Sequence, residues 1–302
     1  MLEGGNMSEL GKLPNALRVR LALYTDLPNR ELADPAIAFF ERLSAFTGGA
    51  LSAYVAPGGD WVQADAAKVV REAQARLGKK KVNGSFTAGS PDGGLSSFEF
   101  SYHGMFTDHP PHREQGYLSS LQAWMPVAYF QAHRAGFEQL MADLAALVPL
   151  TFAYANLALE GTDRIGNQQL AKRYRAVDIA KVSSVAFDIG SKAAGAFWLT
   201  LYGRQLLADL QDSLQHAAAG GLPQGCQMAP GANGTVMLLL GPEPILGDVN
   251  RQESVAAYQW LARLLDKAGK LHRPQRVRYF DADEAEGLGD AEAQQRWHER
   301  FL

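Results

Sequence analysis

Residues 103–114 place His103, Asp108, His109, His112 and Glu114 close together in the chain. Imidazoles and carboxylates are the donor types that hold zinc. Their spacing matches no common zinc site, and Pro110-Pro111 argues for an extended loop rather than a helix that would align them. Only His103 falls on a strand pattern. The segment therefore reads as a polar surface loop, with no metal and no cofactor assigned. Loops of this kind on a rigid scaffold are where partner contacts often sit.

Other residues offer less chemistry. Asp178 and Asp188 are isolated carboxylates without acid–base or magnesium signatures around them. Lys172, Arg173 and Arg175 form a short basic cluster that Asp178 compensates, and it reads as a solvated helix face. Cys226, the single cysteine, follows Gly225 in a hairpin arm and reads as a small half-buried residue rather than a nucleophile. Phosphate-binding loops, the G-x-S-x-G nucleophile elbow and H-E-x-x-H are all absent.

A second patch of interest lies near the C-terminus. Asp281, Asp283, Glu284, Glu286, Asp290 and Glu292 follow one another with no basic residue between them. Gly287 and Gly289 oppose a continuous helix there, and a solvated tail is the expectation. The alternative is an acidic patch for a basic partner. Beyond it, Trp297, Phe301 and Leu302 would dock the terminus onto the body through a short helix.

These residues need a scaffold, and the composition supplies one. The chain has 302 residues, 47% of them hydrophobic, with 29 Lys+Arg against 32 Asp+Glu. That is enough apolar material for a folded domain and excludes a disordered chain. No apolar run is long enough to span a membrane. A net charge of -3 argues against direct nucleic-acid binding. One cysteine excludes an internal disulfide framework. With no secretory signal pattern at the start, a cytoplasmic protein is expected.

The periodicities predict a mixed architecture. Residues 17–24 alternate, with Leu17, Val19, Leu21 and Leu23 on one face and Arg18 and Arg20 on the other, as in a half-buried strand. Further strands are predicted at 98–103, 118–127, 150–159, 196–202 and 277–280. A hairpin is predicted over 227–240, turning at Asn233-Gly234. Helices are predicted at 34–46 behind Asp34-Pro35, 65–77, 131–147, 167–174, 206–214 and 251–267, the last opened by Asn250 and Glu253. Residues 83–95 read as a loop. Hairpin signals among separate helices predict an α+β fold of mainly antiparallel sheet flanked by helices. The expected organisation is a flexible stretch 1–14 and one compact body over 15–302. It would have sub-lobes near 15–149 and 150–280 and an acidic tail 281–302.

Two segments carry a family likeness. One is Gly195-Ala196-Phe197-Trp198-Leu199-Thr200-Leu201-Tyr202-Gly203 with Leu206 and Leu207. The other is Leu238-Leu239-Leu240-Gly241-Pro242-Glu243-Pro244, then Gly247-Asp248-Val249-Asn250-Arg251 and Tyr258. Together they resemble the type VI secretion immunity protein family. The physical reading of the motif is structural: Trp198 is core, and Gly247, Asp248 and Asn250 turn the chain and cap a helix. Arg251 needs a carboxylate, either Asp248, the nearest in sequence, or equally a long-range partner.

The resemblance implies a non-catalytic antitoxin whose partner is a cognate secreted toxin acting in the cytoplasm, a nuclease by expectation. It would occlude the toxin's active site or block its active assembly, without itself touching nucleic acid or membrane. A nuclease groove is basic, so carboxylate-rich surfaces are the toxin-binding candidates. These are Asp108, His109, His112 and Glu114 in the loop, and Asp281, Asp283, Glu284 and Glu286 near the end. Two rival readings are an effector-loading chaperone and a metal-dependent enzyme using His103, His109 and His112.

Overall fold

The computed structural model describes residues 16–91, 97–160, 164–275 and 280–302. Its strands are β1 (Ala16–Thr25), β2 (Ala53–Val55), β3 (Trp61–Gln63), β4 (Gly84–Gly89), β5 (Glu99–Gly104), β6 (Ser119–Pro126), β7 (Phe152–Glu160), β8 (Leu199–Tyr202), β9 (Gln227–Pro230) and β10 (Val236–Leu239). They form a ten-stranded open sheet in the order β3-β2-β4-β5-β6-β1-β7-β8-β10-β9. Each strand pairing in it is antiparallel. The helices are α1 (Asn29–Phe46), α2 (Ala66–Leu77), α3 (Pro110–Glu114), α4 (Val127–Ala132), α5 (Arg134–Leu147), α6 (Arg164–Arg173), α7 (Val182–Val185), α8 (Arg204–Ala219), α9 (Ala256–Lys267) and α10 (Asp290–His298). The α+β expectation is met.

β1 is the centre of the sheet. Arg20 pairs in register with Trp124 of β6 on one side and Asn156 of β7 on the other. Val19, Leu21 and Leu23 are fully buried, as the alternation predicts. Arg18 and Arg20 depart from it: each is only 2% exposed. The segment after α6 crosses their face of the sheet, and the Arg20 guanidinium donates to the Ala180 carbonyl at 2.6 Å.

The other face at the β4 and β5 end is covered by α1 and α2. Phe40 of α1 packs its ring against Phe86 of β4 and Phe100 of β5, at 5.5 and 4.8 Å between centroids. Asp65 caps α2, its carboxylate accepting the Lys68 amide at 2.7 Å. α1 starts earlier than Asp34-Pro35 suggests. Pro28 occupies the cap position in extended conformation, so Pro35 lies inside the helix. Asp34 instead pairs with Lys80 at 2.6 Å.

Other boundaries also differ from expectation. Gly84–Gly89 is a strand within the stretch read as loop, while 92–96 of that stretch lie outside the described residues. Its small residues conceal the pattern, yet Phe86 and Ala88 face the core. The helix predicted at 131–147 is two helices, broken at His133, whose ring stacks on Tyr129 at 4.0 Å. Pro110-Pro111 does not extend the chain but opens α3, because proline fits a first helical turn. Asn233 turns the 227–240 hairpin with φ 56°, and its amide also donates to the Ala145 and Ala146 carbonyls that end α5. The strand predicted at 277–280 falls largely on 276–279, outside the described residues.

Candidate functional site

The histidine loop is a chain of aromatic ring contacts rather than a ligand set. Phe106, His109, His112, Tyr117 and Phe187 follow one another with ring centroids 5.0–5.4 Å apart. His112 Nδ1 lies 3.0 Å from the Phe106 carbonyl oxygen. His103 sits on β5, facing Ser85 and Ser120 across the sheet. Among the described residues no group of three His, Cys, Asp or Glu side chains is placed to hold a metal ion. Asp108 pairs with Arg30 at the start of α1, and Glu114 is exposed at the end of α3.

The acidic run is not a solvated tail. Asp283 is 8% exposed and pairs with Lys172 of α6 at 2.5 Å. Lys172 also holds Glu286 at 3.0 Å, and Arg296 of α10 pairs with Glu286 from the other side. The Lys172 ammonium beside it holds the Asp283 carboxyl below the usual carboxylate range. Glu284–Glu286 make one 3-10 turn that Gly287 ends in left-handed conformation, and Glu292 then caps α10 through the Gly289 amide. Two of the four carboxylates singled out here are thus spent on docking the chain end, whereas Glu284 is exposed and Asp281 half-buried.

α10 completes that docking. Trp297 and Phe301 are buried, Phe301 against the Tyr258 ring of α9 at 5.4 Å. Leu302, expected to join them, is 43% exposed. A cleft of about 670 Å³ lies between α6 and this segment, with Lys172, Arg175, Asp283, Glu286, Trp297 and Arg300 in its walls.

The motif around Gly247 is a clamp. Asp248 is 1% exposed; its Oδ1 and Oδ2 accept Arg173 Nε and Nη2 at 3.2 and 3.1 Å, and Oδ1 also accepts the Asn250 amide at 3.0 Å. The Asp248 amide in turn donates to Glu253 at 3.0 Å. Gly247 has φ 66°, and a Cβ there would come within 2.8 Å of the Ala176 nitrogen, so two constraints demand glycine. The expected helix start at 251 is a separate 3-10 turn, Val249–Arg251, and α9 begins at Ala256. Asp248, not Asn250, does the capping. Arg251 stays exposed, 4.0 Å from Asp248, because Arg173 has taken that carboxylate.

Trp198 and Gly203 are equally structural. The Trp198 indole donates to the Gly241 carbonyl at 3.0 Å, with Phe130 and Phe137 beside its ring. A Cβ on Gly203 would stand 1.7 Å from the Leu150 carbonyl oxygen. Tyr258 is buried, and burial raises its hydroxyl pKa. Cys226 is half-buried, and burial pushes its thiol up, away from nucleophilic character.

Two buried polar clusters escape sequence reasoning. Asp178 is fully buried, paired with Arg20 and accepting the Tyr154 hydroxyl at 2.7 Å. His272 Nε2 lies 2.8 Å from Asp188, and its ring meets that of buried His298 at 5.7 Å. Arg20 precedes Asp178 by more than half the chain. No local spacing betrays either pair, and only two arginines inside an apolar alternation hinted at the first.

None of these clusters joins a nucleophile, a base and an open substrate site. Among the described residues no helix is long and apolar enough to cross a membrane. No curated protein sequence matches the chain. Among solved structures, the Pseudomonas aeruginosa T6SS protein PA0821 is similar in fold, with a TM-score of 0.74 at 18% identity over 100% of this chain and 91% of that one. The family model TsiV, described as type VI immunity for VRR-NUC, matches residues 36–301. That span takes in both segments singled out by the Trp198 and Gly247–Arg251 motifs. The chain belongs to the TsiV family, the type VI secretion immunity proteins for VRR-NUC nuclease effectors.

Proposed function

We propose that the chain neutralises its nuclease effector in the cytoplasm by binding alone, covering the groove through which the nuclease takes nucleic acid. The family match over 36–301 carries this reading. The motif's Asp248 supports it, since its carboxylate is engaged by Arg173 and its backbone amide by Glu253, holding the scaffold. A basic nuclease groove favours carboxylates opposite it. Glu114 and Glu284 present theirs to solvent, so they are the contact candidates, with Asp108, His109 and His112 flanking the first and Asp281 the second. Asp283 and Glu286 act by holding that second segment in place.

The test is growth rescue with co-purification. The nuclease expressed in a cell lacking both partners should arrest growth, and co-expression of this chain should restore it. Charge reversal at Asp108 and Glu114, and separately at Asp281 and Glu284, should raise the dissociation constant about tenfold, or roughly 1.4 kcal/mol. Binding that ignores both sets removes the carboxylate contacts. Binding without growth rescue would replace immunity by effector loading.

A further inference from the structure

Among the described residues, half of one sheet face carries exposed side chains. Register places Glu99, Ser101 and His103 of β5 on the same face as Ser85, Thr87 and Gly89 of β4, Ala53 and Val55 of β2, and Trp61 and Gln63 of β3. The opposite face of these strands lies under α1 and α2. Farther along the sheet, Arg18 and Arg20 stack over Trp124, and residues 178–186 cross the strands. That cover ends at β6. Gln63, Ser85 and His103 are exposed, and Trp61 is 52% exposed.

Trp61 is exposed but not loose. Its indole lies across Gly89, where a Cβ would come within 3.1 Å of the ring. The glycine makes room for a flat, pre-set aromatic surface. Tryptophan in that state is the residue type most often found at the energetic centre of protein interfaces. Ordering it beforehand lowers the entropic cost of association.

The chemistry of the face selects its occupant. The outward positions of these four strands hold one carboxylate, Glu99, and neither lysine nor arginine. Lys181 beside His103, and Lys81 in the turn before β4, stand at the margin. A phosphate backbone needs cations to replace its counterions, so nucleic acid does not fit. Neutral donors and acceptors around an aromatic anchor fit a protein, and Glu99 is already engaged by the Ser101 hydroxyl at 3.1 Å and by the charge of Arg18. From the end of β5 the chain runs directly into the loop bearing Asp108, His109, His112 and Glu114, at the opposite end of these strands from Trp61.

We infer that this open face of β3-β2-β4-β5 seats the VRR-NUC nuclease, with Trp61 as the anchor. The inference rests on the reading that the chain neutralises the nuclease by direct binding. It adds a contact surface made of neutral side chains and one tryptophan, which charge reversal in the loop would not detect.

The test uses the full chain and the purified nuclease domain. Wild type, Trp61→Ala, Gln63→Arg and Ala208→Arg are compared by calorimetry, with circular dichroism and thermal unfolding to verify folding. Ala208 is exposed on α8 and serves as the control. Trp61→Ala should raise the dissociation constant at least tenfold and Gln63→Arg should do so too, with Ala208→Arg unchanged. Wild-type affinity in both face variants overturns the inference while leaving the binding reading intact. A wild-type chain that does not bind the nuclease overturns both. A chain that is a dimer alone, split by Trp61→Ala without loss of nuclease affinity, assigns the face to a second copy and also overturns the inference.

Discussion

Arg173 meets Asp248 side-on, through Nε and Nη2, at 3.2 and 3.1 Å. The carboxylate is buried and the arginine about one-third exposed. This joins the end of α6 to the Gly247 turn and explains why Arg251 is left to solvent. Arg173→Ala removes the charged partner and leaves Asp248 buried, so we expect a loss of about 2 kcal/mol in urea unfolding. Arg251→Ala should change stability by less than about 0.5 kcal/mol. Equal losses in the two variants would refute the assignment of partners.

Arg20 and Asp178 form a deeper pair. Arg20→Met strands a carboxylate that is fully buried and should cost about 3–5 kcal/mol. Adding Asp178→Leu should restore most of that loss, because both charges leave together. A double-mutant cycle by chemical denaturation measures it, and additive losses would show that the two side chains do not act as a pair.

His298 makes stability depend on pH. Burial, then the neighbouring His272 and Arg300, holds its imidazole neutral far below the usual histidine range. The unfolded chain takes up a proton at this residue near pH 6.5, whereas the folded chain does so only at much lower pH. Below about pH 6.5 the unfolded state therefore binds more protons, and stability falls as pH drops, by up to about 1.4 kcal/mol per unit. Above that pH this contribution is complete. His298→Phe should flatten the profile between about pH 5 and 6.5. An unchanged slope would place the titration elsewhere.

Gly203 tolerates no side chain. Its amide donates to the Thr151 carbonyl at 3.0 Å, and the Leu150 carbonyl fills the space a methyl would need. Gly203→Ala should destabilise by roughly 3 kcal/mol or prevent folding. Gly269→Ala makes a contrast: φ there is 66° but nothing lies within 4 Å, so only backbone strain is added. A milder loss at Gly269 than at Gly203 separates crowding from conformation, and soluble expression reads both.

The sequence was most legible where one physical cause acted locally. Val19, Leu21 and Leu23 mark β1 by alternation, and Asp65 marks α2 by its cap. Legibility failed where the cause was distant. Nothing near Arg20 announces Asp178, and nothing near Asp283 announces Lys172. Thus a buried strand looked half-solvated and a docked segment looked free. Gly84–Gly89 failed differently: one face packs Phe86 and Ala88, while the other carries small residues beside an open surface. For the candidate site, the motif at Gly247–Arg251 identified the family but named scaffold residues. Trp61 did not stand out in the sequence, since its exposure depends on which strands lie beside it.

The central position of β1 bears on how the chain is made. As the nascent chain leaves the ribosome, Val19, Leu21 and Leu23 emerge long before the strands that flank them. Their first neighbour on β6 waits for Trp124, and the second for Asn156. At about 5–20 residues per second that delay lasts many seconds. During it an apolar strand has both edges open, the condition under which nascent chains aggregate. An antidote that must be ready before the poison arrives therefore carries a strand that stands unpaired on one side until Asn156 has been translated.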